Sequence, residues 1–185
     1  MSKKIAITHC QTRFEDDFVR LATAYYKGGN DHEGQWSYIE RTHLTRAAIV
    51  IPILARTREI ILIRQFRIPV NGFVIEFPAG LIDAGEKVED AALRELLEET
   101  GYTGAILDVS PLLATSAGLT SEGIFLIKVS VNETPLNQEL EDSEDIEVLK
   151  LPLDNIMVDL RQRAKQGDLI DSKVWSLLAF SSLWQ

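Results

Sequence analysis

The stretch Gly80-Leu-Ile-Asp-Ala-Gly85-Glu86-Lys-Val-Glu-Asp-Ala-Ala-Leu93-Arg94-Glu95-Leu96-Leu97-Glu98-Glu99-Thr100-Gly101-Tyr102 decides how this 185-residue chain is read. Val88 to Thr100 has helical patterning, and Gly101 is a natural C-terminal stop. Glu95, Glu98 and Glu99 are spaced i, i+3 and i+4, so a helix carries all three carboxylates on one face. Leu93, Leu96 and Leu97 fall on other sides and can anchor it. Like charges at these spacings destabilise a helix by ~0.2–0.5 kcal/mol per pair. A hard cation such as Mg²⁺ removes that repulsion and takes the oxygens as ligands. Arg94 and the upstream Glu86 are placed to orient the carboxylates. A bare set with this spacing is also what a solvated acidic helix face looks like, so the wider pattern has to decide.

That wider pattern runs from Gly80 over five residues to Glu86. After seven more come Arg94-Glu95, an aliphatic residue, one free position and Glu98-Glu99. One further free position leads to Gly101 and a bulky residue. Every specified position resembles the Nudix box. The resemblance implies a loop-helix-loop that grips divalent metals on an α/β/α sandwich, a mixed sheet with flanking helices. The approach to the box, Arg64-Gln65-Phe66-Arg67 and Ile75-Glu76-Phe77-Pro78-Ala79-Gly80, resembles that of ADP-ribose and ADP-sugar pyrophosphatases. The segment Trp36 to Arg41 resembles their N-terminal region.

What the resemblance implies can be carried over by residue. Glu95, Glu98 and Glu99 bind the metals, and the Ala79 carbonyl completes the shell. Glu86 binds a metal or orients a ligand, and Arg94 pairs with the box carboxylates. Arg67 contacts the diphosphate, a role that a guanidinium fork suits. Trp36 and Phe18 match positions where related dimers stack the base between two rings, worth ~1–3 kcal/mol per base. For Phe18, core packing is the competing reading. Arg41, Gly118 and Glu122 join the substrate side, with Glu122 also a candidate helper at the metals. The catalytic base is expected from the acidic run Glu141-Asp142-Ser143-Glu144-Asp145, with Glu144 favoured by its place before the next apolar strand. The expected cofactor is Mg²⁺ or Mn²⁺, two or more ions per site.

Two positions depart from the ADP-ribose pattern. Ala117 stands where a proline is usual, and Ser37, a short side chain, follows the tryptophan. They favour a broader activity, pyrophosphate hydrolysis of nucleoside diphosphate sugars with ADP-ribose among them, giving a nucleoside monophosphate and a sugar phosphate. The alternatives are a house-cleaning nucleoside triphosphate pyrophosphatase and a non-catalytic nucleotide-sensing module. The intact carboxylate set argues against the second.

The bulk numbers agree with a small-molecule enzyme. A net charge of −9 argues against a nucleic-acid surface, which needs a basic stripe. It also means that bound cations must help neutralise a pyrophosphate. Cys10 is the only cysteine, so no internal disulfide or cysteine metal cluster forms. No apolar run approaches the ~20 residues of a membrane helix, and the first residues lack a signal-peptide pattern. The expectation is a cytoplasmic protein with neither membrane nor nucleic-acid partners.

Two segments are expected along the chain. Residues 1–45 form an N-terminal β segment, with strands at 19–26 and 36–42 around Gly28-Gly29-Asn30-Asp31. Residues 46–185 form the Nudix domain. Its expected strands are 47–54, 59–65, 73–77, 106–113, 123–131 and 146–151; helices are expected at 153–165 and 172–183 as well as in the box. The segment 132–145 is polar and is expected to be a loose loop. An isolated hairpin is marginal in water, so the N-terminal strands need a surface to lie on, and the resemblance implies that this surface belongs to a partner subunit in a homodimer.

Overall fold

The computed structural model describes residues 5–29, 32–43, 46–140 and 145–179. Strands β1 (Ala6–Glu15), β2 (Val19–Lys27) and β3 (Glu33–Arg41) form an antiparallel three-stranded sheet in that order. A nine-stranded sheet follows. It contains β4 (Arg46–Leu54), β5 (Glu59–Arg67), β6 (Gly72–Glu76), β7 (Ala79–Leu81), β8 (Gly104–Val109), β9 (Leu113–Ala114), β10 (Gly123–Val131), β11 (Ile146–Pro152) and β12 (Leu169–Ile170). The helices are α1 (Val88–Thr100), α2 (Ile156–Gln166) and α3 (Ser172–Ala179). The order β12-β6-β5-β4-β10-β8 is mixed: β4–β10 and β6–β12 are parallel, and β4–β5, β5–β6 and β10–β8 are antiparallel.

Both faces of this sheet are covered, and the two-residue period of a strand shows how. On β4, Ala48 and Val50 join an apolar cluster with Ala91, Ala92 and Leu96 of α1. Ile49, between them, joins a second cluster with Ile156 and Leu160 of α2 and Val174 of α3. The neighbouring β5 splits the same way, Ile61 toward α1 and Ile60 and Leu62 toward α2 and α3. The result is the expected α/β/α sandwich. Leu96 is fully buried and fixes α1 on the sheet; truncating such a residue to alanine costs ~2–5 kcal/mol.

Helix α1 ends where the sequence says it should. Gly101 has φ +72°, and its N–H donates to the Leu97 carbonyl at 2.8 Å. The next segment, 132–140, has neither helix nor strand, as expected of a loop. Residues 132–140 are pinned to the end of α1, because a helix leaves its last carbonyls without intrahelical donors. Leu136 N–H donates to the Gly101 carbonyl at 2.7 Å and Glu139 N–H to the Glu98 carbonyl at 2.9 Å. The Gln138 amide donates to the Glu99 carbonyl at 2.6 Å. Two backbone N–H groups and one side-chain amide thus attach the loop to the helix end. Residues 141–144 of the expected loop lie outside the described residues.

Other differences are local. Sequence patterning misses β1, whose ten residues are all exposed. The strand expected over 106–113 breaks at Ser110-Pro111, since proline cannot donate to a ladder. Residues 180–183 of the last expected helix lie outside the described residues. The N-terminal sheet also touches its own chain: Ile39 N–H donates to the Leu119 carbonyl at 2.8 Å and Ser121 N–H to the Ile39 carbonyl at 3.1 Å.

Candidate active site

The box closes around Arg94. Its Nε and Nη2 donate to the two oxygens of Glu86 at 3.0 and 3.1 Å, and Nη2 also reaches the Leu81 carbonyl at 3.1 Å. Its Nη1 donates to Glu95 Oε1 at 2.7 Å and Glu98 Oε2 at 3.1 Å. Glu86 Oε2 in turn accepts the Asp83 N–H at 3.0 Å, which folds the turn before α1. The hydrogen bonds from Arg94 hold the Glu86 carboxyl below the usual glutamate range, and Glu86 in turn pushes the guanidinium further up. These groups stay ionised through neutral pH.

Glu99 sits one turn deeper, only 3% exposed, and its Oε2 accepts the Ala79 N–H at 2.8 Å. Ala79 and Gly80 lie on β7, which pairs with β4 and runs alongside α1. A Cβ added at Gly80 would overlap the Glu95 carboxylate. A side chain at this position would thus force that carboxylate to move.

Among the described residues, no three Asp, Glu, His or Cys side chains stand as a finished metal cage. The donor set nevertheless fits a hard divalent ion. Oxygens of Glu95 and Glu98 converge on a single cationic nitrogen, and Glu86 shares the same guanidinium. All the side-chain donors are oxygens, as Mg²⁺ and Mn²⁺ prefer.

A cleft of about 340 Å³ opens beside the box, lined by Ala79, Gly80 and Leu81 of β7. Cations stand on its walls, each matched by a carboxylate. Arg67 Nε donates to both oxygens of Glu76, at 3.2 and 3.0 Å, and Nη2 adds a 2.5 Å bond. Arg41 Nε donates to Glu122 Oε1 at 2.7 Å. Further back along β3, the Trp36 indole N–H donates to the Gly118 carbonyl at 2.9 Å. The segment before β10 thus meets β3 twice, Gly118 at Trp36 and Glu122 at Arg41; the two β3 residues stand five apart, ~16 Å at 3.3 Å per residue, and of these four only Arg41 and Glu122 line the cleft. Glu122 engages Arg41 and not the box carboxylates.

Phe18 is not gathered there. It is 76% exposed, held in the β1–β2 turn, where its N–H and that of Val19 donate to Asp16 Oδ1 at 2.8 Å. Core packing within this chain is excluded. Trp36 pairs with Ala24, six residues beyond Phe18 along β2, or ~20 Å at 3.3 Å per residue. The two rings of one chain cannot sandwich one base. Glu144 and Glu141 lie outside the described residues.

Sequence reasoning assigned no role to Glu76 or Lys173. Glu76 was visible in principle. The β5–β6 hairpin sets Ile63 opposite Glu76 and Gln65 opposite Val74, and period two carries the same face on to Arg67. Lys173 gave no signal, because its place depends on the parallel pairing of β12 with β6.

An α/β/α sandwich with a glutamate-bearing helix behind a cation-lined cleft defines a Nudix hydrolase. The chain belongs to that family: residues 43–172 match the NUDIX domain. It is 36% identical over 187 residues to an ADP-ribose pyrophosphatase of Saccharomyces cerevisiae, covering 94% of this chain and 80% of that one. It is 37% identical over 177 residues to an ADP-sugar pyrophosphatase of Mus musculus, covering 88% and 80%. In fold it resembles a crystal structure of an ADP compounds hydrolase, with a TM-score of 0.77 and 22% identity, covering 100% of this chain and 95% of that one.

Proposed function

We propose that this enzyme hydrolyses the pyrophosphate bond of nucleoside diphosphate sugars, ADP-ribose included, with Mg²⁺ or Mn²⁺. The observation that carries the reading is the cleft itself: Arg41–Glu122 and Arg67–Glu76 flank Ala79-Gly80 at the rim of the box. A divalent ion, when bound, lowers the pKa of water and neutralises the diphosphate; two or more ions held by Glu95, Glu98, Glu99, Glu86 and the Ala79 carbonyl suit the donor set. Arg67 and Arg41 exchange carboxylate partners for phosphate oxygens. Water attacks one phosphorus, the bridging P–O bond breaks, and the second phosphate departs as sugar phosphate or nucleoside monophosphate. The proton passes to a glutamate, for which Glu144 remains our assignment. Its support is tethering: Ile146 pairs with Gln65, and Glu139 is bonded to α1.

We also read residues 1–45 as an assembly segment, 46–185 as the hydrolase domain, and the working unit as a cytoplasmic homodimer. The separation of Phe18 from Trp36 supports this, since a two-ring sandwich then needs Phe18 of a second copy. So does the exposed apolar surface of the N-terminal sheet, where Ile5, Ile7, Tyr26 and Trp36 border a hollow of about 440 Å³.

Phosphate-31 NMR of products from ADP-ribose, other sugar nucleotides and nucleoside triphosphates tests the reading. Ser37 and Ala117 lead us to expect cleavage of more than one sugar nucleotide. Preferred turnover of triphosphates would overturn the substrate class, and no turnover of any would favour a sensing module.

A further inference from the structure

Lys173 lines the same cleft as Arg41, Arg67 and Gly80. It is brought there by β12, which pairs in parallel with β6 (Leu169 with Val74, Ile170 with Ile75). The Asp171 N–H then donates to the Ile75 carbonyl at 3.0 Å, and the chain enters α3 beside Glu76 and Phe77. Lys173 therefore stands on the wall that carries Arg67 and Glu76. Arg41 and Glu122 line the same cleft, and the segment that ends at Glu122 carries Gly118, where the Trp36 indole is held.

The position is a poor one for a lysine on stability grounds. A cation in the first turn of a helix opposes the macrodipole, at ~0.3–1 kcal/mol. Asp171 answers it twice: Oδ1 accepts the Lys173 N–H and Oδ2 the ammonium, both at 2.7 Å. The side chain is about a third exposed, held at the cleft and open to it. Its pairing repeats the pattern of Arg41 and Arg67, a cleft cation waiting on a carboxylate.

We propose that Lys173 is a specificity-determining residue that contacts the sugar phosphate half of the substrate, opposite the nucleoside. This rests on the nucleotide-sugar reading above. With the base at Trp36 and the diphosphate between the arginines, the remaining half points toward the β6 wall. A compact ammonium with three rotatable donors suits the varied angles of a sugar phosphate and its hydroxyls. Arginine, planar and forked, suits the diphosphate.

The test uses Lys173→Met and Lys173→Arg in the full chain, with thermal unfolding as the check on folding. AMP and ribose 5-phosphate binding is measured by calorimetry with Mg²⁺, and ADP-ribose kinetics in parallel. Lys173→Met should weaken ribose 5-phosphate about tenfold and AMP less than about twofold. KM for ADP-ribose should rise about tenfold with kcat nearly unchanged, and Lys173→Arg, which keeps the charge but not the ammonium, should recover only part of the loss. Equal weakening of both halves, or of neither, overturns the assignment while leaving the reaction intact. If the wild-type protein neither cleaves ADP-ribose nor binds either half, the substrate reading fails and this proposal fails with it.

Discussion

Arg41 and Glu122 lie 81 residues apart in the chain and meet in a 2.7 Å ion pair beside the cleft. Both side chains are partly exposed, and pairs of that kind contribute ~0–1 kcal/mol. The pair matters more for where it holds the guanidinium than for stability. Arg41→Ala should raise KM for ADP-ribose about tenfold, the loss of one charge-assisted contact, with unfolding free energy within ~0.5 kcal/mol of wild type. Steady-state kinetics beside urea unfolding checks this; unchanged KM would remove Arg41 from the binding site.

Glu99 and Gly80 give a matched pair of tests for the box. Glu99→Gln keeps an oxygen for the Ala79 N–H but loses the charge, so turnover should fall by roughly 10²-fold or more with the fold kept. Gly80→Ala should also cripple turnover, by a different route, because its methyl displaces the Glu95 carboxylate. Circular dichroism and Mg²⁺-dependent kinetics distinguish both from unfolding. Near-normal rates in Glu99→Gln would sink the metal-ligand assignment.

Glu86 predicts a pH signature. Its folded pKa is below its unfolded value of about 4.3. The unfolded state then binds more protons in between, so the stabilisation is fully present above the unfolded pKa and is lost as pH falls through the folded one. Glu86→Gln should therefore be less stable than wild type at pH 7, and the gap should close on acidification below pH 4. Urea unfolding at several pH values reads this directly; a constant gap would mean the Arg94 hydrogen bonds are not its source.

The separation of Phe18 from Trp36 makes assembly testable through activity. Sedimentation at micromolar concentration should give a dimer. Phe18→Ala should raise KM even though the residue stands ~20 Å along the hairpin from Trp36 in its own chain. An active monomer, or a Phe18→Ala variant with unchanged KM, would count against completion of the site by a second copy.

How legible all this was depended on sequence distance. The box was readable because its meaning is local: i, i+3 and i+4 carboxylates, a glycine stop and a leucine anchor are all set within one helix. The long strands were readable from apolar runs. What failed were features defined by distant partners. β1 has no buried face to impose alternation, and β7, β9 and β12 are too short to show a period. The 132–140 segment reads as a loop and is one, but its attachment to the carbonyls at the end of α1 gives no sequence signal. Lys173 acquires meaning only when β12 lies beside β6, nearly a hundred residues away in sequence.

Arg94 carries one last consequence. Because a guanidinium already stands among Glu86, Glu95 and Glu98, the mutual repulsion of these carboxylates is answered by the chain itself. Folding need not wait for an ion, in contrast to small zinc domains, where metal binding and folding are one event. On the metal-dependent reading proposed above, the divalent ion would then be a replaceable part: it could be stripped, exchanged for another of similar hardness, or supplied late, to a helix already standing.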